Sequence, residues 1–285
     1  MREIGRFILL LVGVTAVPAA SVSAEVPKAP YLTDADQALA QAAEADKEAL
    51  IYFFSETCKW CHKLDTVVLT DSGVVDFFTN EMVLAKINGK QDTVLRDRHK
   101  VSAFPTLVMI GKDGAEIDRI VGYLPPDAFL KTLRQYRQGI GTLADLLSRV
   151  EKAPDRELFF KIADKYKYRG GEEEATGWYQ KVIEMGDPKD SLTWESRMAL
   201  ADMHRRAKEY DRAVESFSAI IDDFEGTKFG ADAEVWRAYV LQQKGDTTAA
   251  LKAYEAFIQH YPESEDAEFA GKQIAKLKGV AEKEN

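Results

Sequence analysis

Two patterns of apolar positions divide this chain. From about Thr33 to about Gln138, short apolar runs alternate with segments of helical period; beyond Gly139-Ile140-Gly141 only the helical period remains. The first run, Ala49-Leu50-Ile51-Tyr52-Phe53-Phe54, is apolar throughout, as a central strand covered on both faces should be. Thr33-Asp34 caps a helix that reaches Ala45 ahead of it. After the run, Leu64, Val67 and Val68 fall at helical spacing. Asp71-Ser72 then caps a further helix whose Val74, Val75, Phe77 and Phe78 face the core. Met82 to Ile87 reads as a second strand, Thr93 to His99 as a short helix, and Leu107 to Ile110 as a third strand. Lys112-Asp113-Gly114 is a turn leading into a strand over 115–121, which closes a hairpin. Pro125-Pro126-Asp127 opens a helix that ends near Gly139.

The remainder reads as helix after helix, near 142–152, 155–168, 172–185, 191–207, 210–224, 228–244, 246–260 and 263–277. These segments repeat themselves. Ala175 with Tyr179, Ala213 with Phe217 and Ala250 with Tyr254 each set an aromatic ring four residues after an alanine, and the alanines recur after 38 and then 37 residues. A small residue lets two helices approach, and the ring one turn on fills the next groove.

Candidate chemistry is concentrated in one place. Cys58 and Cys61, in Cys58-Lys59-Trp60-Cys61, are the only two cysteines of the 285 residues. They stand between the first strand and a helix, where unpaired backbone N–H groups and the helix dipole favour a thiolate. A thiolate that attacks a disulfide, with a second thiol close by to resolve the mixed disulfide, is the requirement for thiol–disulfide exchange. A purely structural bridge of this span closes a very short loop and restrains the unfolded chain little. Four zinc or iron ligands are not available from two cysteines and four histidines placed in this way. The same string continues into His62, so it is also Cys-x-x-Cys-His, a c-type haem attachment pattern with Met82 or Met109 as the second axial ligand to seek.

About forty residues beyond the cysteines comes Phe104-Pro105-Thr106, at the mouth of the third strand, where a proline needs a special position. The order of strand, Cys-x-x-Cys, helix, strand, helix, Phe-Pro-Thr, hairpin and helix resembles the thioredoxin fold over roughly Ala29 to Gln138. The resemblance implies that the Phe104–Pro105 bond is cis and lies beside the disulfide. It further implies that this loop offers backbone groups to an extended substrate segment. Cys58 is then the exposed nucleophile and Cys61 the buried resolving thiol, with no bound organic cofactor and no metal. Lys59, Trp60, Phe104, Pro105 and Thr106 shape the site. Lys59 favours the Cys58 thiolate by its charge, and Trp60 offers an apolar rim to a partner peptide.

Two departures from thioredoxins stand out. Their buried aspartate six residues before the first cysteine is Tyr52 here, and their Gly-Pro between the cysteines is Lys59-Trp60. Glu56 and Asp65 are the candidates to replace the missing carboxylate as proton acceptor for Cys61. The whole looks closer to periplasmic thioredoxin-like domains of the reducing pathway than to cytosolic thioredoxin.

In the second half, Ala233-Glu234-Val235-Trp236 through Gly245-Asp246 to Tyr261-Pro262 resembles a tetratricopeptide repeat, slightly longer than the usual 34 residues. The resemblance implies partner docking on a concave surface, with a spacer or a dimerisation module as the competing role. His204-Arg205-Arg206 and Lys208 read either as a basic binding patch or as a solvated helix face.

The ends and the charge place the chain. Arg2 and Arg6, the short apolar core Phe7 to Val14 and Val22-Ser23-Ala24 read as a cleaved secretory signal, too short to span a bilayer comfortably. The expected divisions are a signal over 1–24, a thioredoxin-like domain over 25–139 and a helical repeat domain over 140–285. Signal removal moves the net charge from −9 to −10. That balance argues against nucleic acid or an anionic membrane surface as partner, and no integral membrane segment is expected after cleavage. The expectation is an α/β thioredoxin fold followed by an all-α tetratricopeptide-like solenoid. Its function is that of a periplasmic or secreted thiol–disulfide oxidoreductase, most simply a reductase or exchanger of envelope protein disulfides. Its partners are a protein disulfide or thiol substrate, a redox partner in the envelope, and a protein docked on the repeats. A non-catalytic binding adaptor and, less favoured, a haem c carrier are the alternatives.

Overall fold

The computed structural model describes residues 27–284; the signal sequence expected over 1–24 lies outside them. The first half is a four-stranded sheet between two layers of helices. Its elements are α1 (Ala35–Glu44), β1 (Glu48–Phe54), α2 (Lys59–Lys63), α3 (Ser72–Asn80), β2 (Met82–Asn88), α4 (Thr93–Arg98), β3 (Thr106–Ile110), β4 (Glu116–Val121) and α5 (Pro126–Arg137). The strand order is β2-β1-β3-β4, with β1 and β2 parallel and the other two pairs antiparallel.

Strand β1 earns its central place by being apolar on both faces. Leu50 and Tyr52 point into one layer with Leu64, Phe77 and Phe129, while Ile51 and Phe53 point into the other with Ala38, Leu95 and Val108. The predicted caps form: Asp34 accepts from the Gln37 N–H at 2.8 Å, and Asp71 accepts from the Gly73 and Val74 N–H groups.

One predicted helix differs. Behind α2 the chain takes a π-turn over Leu64–Val68, closed by the Leu69 N–H donating to the Leu64 carbonyl at 2.9 Å. The extra residue in that turn shifts the side-chain phase, so Leu64 and Val68 bury while Val67, expected inside, faces solvent at 43% exposure.

The second half is α6 (Leu143–Lys152), α7 (Arg156–Lys167), α8 (Glu172–Glu184), α9 (Ser191–Arg206), α10 (Tyr210–Asp223), α11 (Lys228–Lys244), α12 (Thr247–His260) and α13 (Ala267–Glu284). Successive helices pack on one another. The three alanine–aromatic pairs, Ala175 with Tyr179, Ala213 with Phe217 and Ala250 with Tyr254, are all fully buried at these packings. Gly245 closes α11 in the left-handed region at φ 90°, and the Asp246 N–H behind it donates to the Leu241 carbonyl. The last helix begins at Ala267 rather than 263, because Tyr261-Pro262-Glu263-Ser264 forms a turn closed by the Ser264 N–H on the Tyr261 carbonyl.

The two halves meet along a polar seam. Asp118 of β4 is fully buried. It accepts from the Lys165 ammonium and the Arg169 guanidinium at 2.8 Å each, and from the Leu143 N–H at 2.7 Å. The neighbouring Arg119 donates to the carbonyls of His99 at 2.9 Å and Tyr168 at 2.7 Å. Arg206 of α9 reaches the Ser102 hydroxyl at 3.1 Å, in the loop that leads to Pro105.

Candidate functional site

Cys58 ends the loop after β1 and serves as the cap of α2. Its backbone is extended, and its sulfur accepts from the Cys61 N–H at 3.1 Å. That contact is one a thiolate strengthens. The two cysteines are joined as a disulfide with their Cα atoms 5.2 Å apart. Cys61 is buried at 1% exposure and Cys58 is half-buried. One sulfur is therefore within reach of a partner and the other is not.

The Phe104–Pro105 peptide is cis. Thr106 is buried, and its hydroxyl donates to the Ala103 carbonyl at 2.8 Å, while the Pro105 carbonyl accepts from the Gly122 N–H at 2.8 Å. Phe104 lies so close over Gly89 that a Cβ there would stand 2.6 Å from the ring. The loop carrying Pro105 is thus tied to the ends of β2 and β4.

Of the residues between the cysteines, Lys59 is exposed and makes no ion pair among the described residues. Trp60 is 51% exposed and stacks on Tyr123 with ring centroids 5.6 Å apart. The Lys63 ammonium sits 4.7 Å from the Tyr123 ring and 5.2 Å from Trp60. This aromatic ledge includes two residues that sequence reasoning missed, Tyr123 and Lys63. Tyr123 follows Gly122, and that glycine, which takes a positive φ of 87°, was the local sequence signal of a turn out of β4.

Tyr52, in place of the expected buried aspartate, is fully buried, and its hydroxyl donates to the Cys61 carbonyl at 3.3 Å. Burial and then the charge of Asp65 push its phenol far above the ordinary value. The two candidate carboxylates separate clearly. Glu56 is exposed and meets the Asn88 side chain at 3.3 Å. Asp65 is partly buried; one oxygen accepts from the Lys86 ammonium at 2.8 Å, and the other, Oδ1, is buried with no hydrogen-bond partner among the described residues.

The haem residues are not brought together. The His62 ring meets the Glu56 carbonyl at 2.7 Å on the surface, whereas Met82 and Met109 lie in the core at 1% and 0% exposure. In the second half, Arg205 and Arg206 are paired with Asp202 at 2.7 and 2.6 Å, and His204 meets Glu209 at 2.8 Å. Of the two readings of this run, the acid pairing fits a solvated helix face and not a free basic patch. Among the described residues, no group of three or more histidines, cysteines and acids is arranged to hold a metal ion, and no helix is long and apolar enough to cross a membrane.

A family model described as a thioredoxin-like domain matches residues 35–137, and a tetratricopeptide-repeat model matches residues 232–264. The thioredoxin of Chlamydia caviae is 31% identical over 87 residues, covering 30% of this chain and 80% of that protein. A thioredoxin from Thermus thermophilus is 33% identical to the chain, with 38% of this chain and 86% of that one covered, at a TM-score of 0.35. The DsbH oxidoreductase is 18% identical, with 44% and 94% covered, also at 0.35.

Proposed function

The chain belongs to the thioredoxin-like family, and from that premise we propose that it reduces or exchanges disulfides of exported proteins through Cys58 and Cys61. The observation that carries this reading is the asymmetry of the pair: a reachable Cys58 sulfur capped by a backbone N–H, bonded to a buried Cys61. In the reduced protein the Cys58 thiolate attacks a client disulfide, and Cys61 then attacks the Cys58 sulfur to expel the client thiol. The loop at Pro105 and the ledge of Trp60 and Tyr123 frame the client segment on either side of the cysteines. The helical half, joined to the first at Asp118 and Arg119, docks a protein partner and holds it beside the dithiol. The amino-terminal pattern of Arg2, Arg6 and the apolar run after them supports export to the periplasm or beyond.

A redox titration of the mature protein in thiol buffers, counting alkylatable cysteines, tests the reading. A reversible two-electron transition is expected. A midpoint near about −270 mV marks a reductase and one near about −120 mV an oxidase. Sulfurs that never titrate would leave the adaptor reading in its place. Cys58→Ser sharpens the choice, since it abolishes the function of an exchanger and leaves an adaptor unaffected.

A further inference from the structure

Thiol exchange leaves one proton unassigned. Cys61 is buried, so the proton it must lose before attacking the Cys58 sulfur needs an acceptor inside the protein. Tyr52 stands where a buried carboxylate was expected, and a phenol held protonated cannot take that proton. Resting on the exchange reading, we propose that Asp65 is the proton acceptor for Cys61, with Lys86 and Tyr52 as the residues that position it.

Three observations carry the assignment. Asp65 lies just beyond α2, in the π-turn, and Tyr52 links it to the cysteine: the Tyr52 hydroxyl donates to the Cys61 carbonyl at 3.3 Å and also faces the Asp65 carboxylate. Its Oδ1 is buried with no hydrogen-bond donor among the described residues, so a lone pair is left free on the protein side of the carboxylate. Its Oδ2 is held by Lys86 at 2.8 Å, which fixes which oxygen turns inward. Lys86 is itself held, with its ammonium 4.6 Å from the Phe54 ring and 5.5 Å from Tyr31. Lys86 from β2 and Tyr52 from β1 are the cation and the titratable hydroxyl that face Asp65, and Tyr52 also ties β1 to the Cys61 carbonyl. The carboxylate is thus carried on the turn behind α2 and not on the strand beneath the cysteines. Glu56, the rival, is exposed and engaged with Asn88.

The step balances. Cys58 thiolate and a client disulfide give a mixed disulfide and one client thiolate, which takes a proton from solvent. Cys61 then passes its proton to Asp65 and attacks the Cys58 sulfur. The Cys58–Cys61 bond forms, the mixed disulfide breaks, and the second client thiolate leaves to be protonated. The dithiol loses two electrons and the client disulfide gains them.

The test is stopped-flow mixing of the reduced full-length protein with a chromogenic bis(nitrobenzoate) disulfide. One aryl thiolate is released as Cys58 attacks and a second as Cys61 closes the ring. In Asp65→Asn the second phase slows at least about tenfold at neutral pH. The difference narrows as pH rises, because hydroxide increasingly replaces the carboxylate as acceptor. Asp65→Glu restores part of the rate, and Glu56→Gln leaves both phases unchanged. A second phase in D65N that follows wild type at every pH overturns the assignment, and so does one slowed by the same factor at every pH. Lys86→Gln unpins the carboxylate without removing it, so it carries the test independently of how D65N folds. It slows the second phase less, with the same pH dependence, and no change there defeats the positioning role. A wild-type protein that releases no aryl thiolate defeats the exchange reading itself.

Discussion

Two aspartates distinguish the seam between the halves from the redox site. Asp118 is fully buried and receives four donors: Lys165, Arg169, and the N–H groups of Leu143 and its own neighbour Arg119. Asp65 is held by Lys86, with the Tyr52 hydroxyl facing it, and its Oδ1 is buried without a hydrogen-bond partner among the described residues. Burial alone would raise the Asp118 carboxyl, but Arg169 and Lys165 outweigh it and hold the group below the usual carboxylate range. A carboxylate with its lone pairs occupied is fixed as an anion and anchors structure. One with a lone pair left inside the protein has somewhere to put a proton. The number of donors around a buried acid therefore says more about its task than the bare fact of burial.

The comparison breaks first at the seam. Asp118→Ala leaves Lys165 and Arg169 buried without their partner, and the loss expected from a broken buried network is about 3–5 kcal/mol. Urea unfolding of the full chain checks it, and the midpoint of the dithiol titration is expected to stay in place. The pH dependence has a definite sign. Because the folded Asp118 is lowered, its stabilisation is complete above the unfolded carboxylate value of about 4. It is lost as pH falls from there through the folded value. Unfolding measured over roughly pH 2–6 should show that acid limb in wild type and a shallower one in Asp118→Asn. An unchanged limb would mean that Asp118 is no anchor.

Next in size is the converse case. Asp65→Asn slows ring closure as argued above. Its pair with Lys86 is partly solvated, with side chains 24% and 15% exposed, so the stability change expected is within about 1 kcal/mol. The two aspartates are thus separable: one variant moves the urea midpoint and spares the second kinetic phase, the other does the reverse. If D65N unfolds as readily as D118A, the distinction drawn from donor number fails.

What was legible in the sequence followed from local periodicity and from two motifs. Apolar runs revealed β1, β2 and β3, acidic caps gave Asp34 and Asp71, and the alanine–aromatic interval gave the stacked helices. Cys58 and Cys61 were found because they are the only cysteines, and Pro105 because of its distance from them. The seam was not legible. Asp118 lies in Glu116-Ile117-Asp118-Arg119-Ile120-Val121, where two adjacent charges, one toward each face, read only as the polar positions of an edge strand. Its partners Lys165 and Arg169 are some fifty residues away on and just after α7, amid helix-surface charges of ordinary spacing. Nor does any sequence signal announce the π-turn at Leu64–Val68, beside which Val67 turns out to solvent. Between Glu56 and Asp65 the sequence offered no choice, because burial and the lone pair on Oδ1 exist only once β1, β2 and α2 are assembled.

The smallest expected effect concerns the ledge at the rim of the site. Trp60 is half exposed and stacks on Tyr123, with the Lys63 ammonium alongside both rings. Trp60→Ala removes no core contact, so unfolding should be unchanged within about 0.5 kcal/mol. Nor should it alter the second phase with the small aryl disulfide, since that phase depends on Cys61 and the carboxylate behind it. An aromatic contact with a client segment is worth about 1 kcal/mol, or roughly a fivefold change in rate. Reduction of a folded protein disulfide should therefore slow by about that factor while the small probe is spared. Equal slowing of both substrates would place Trp60 in the chemistry of the cysteines. No slowing of either would remove the ledge from the client surface and leave the Pro105 loop as the only framing element of the site.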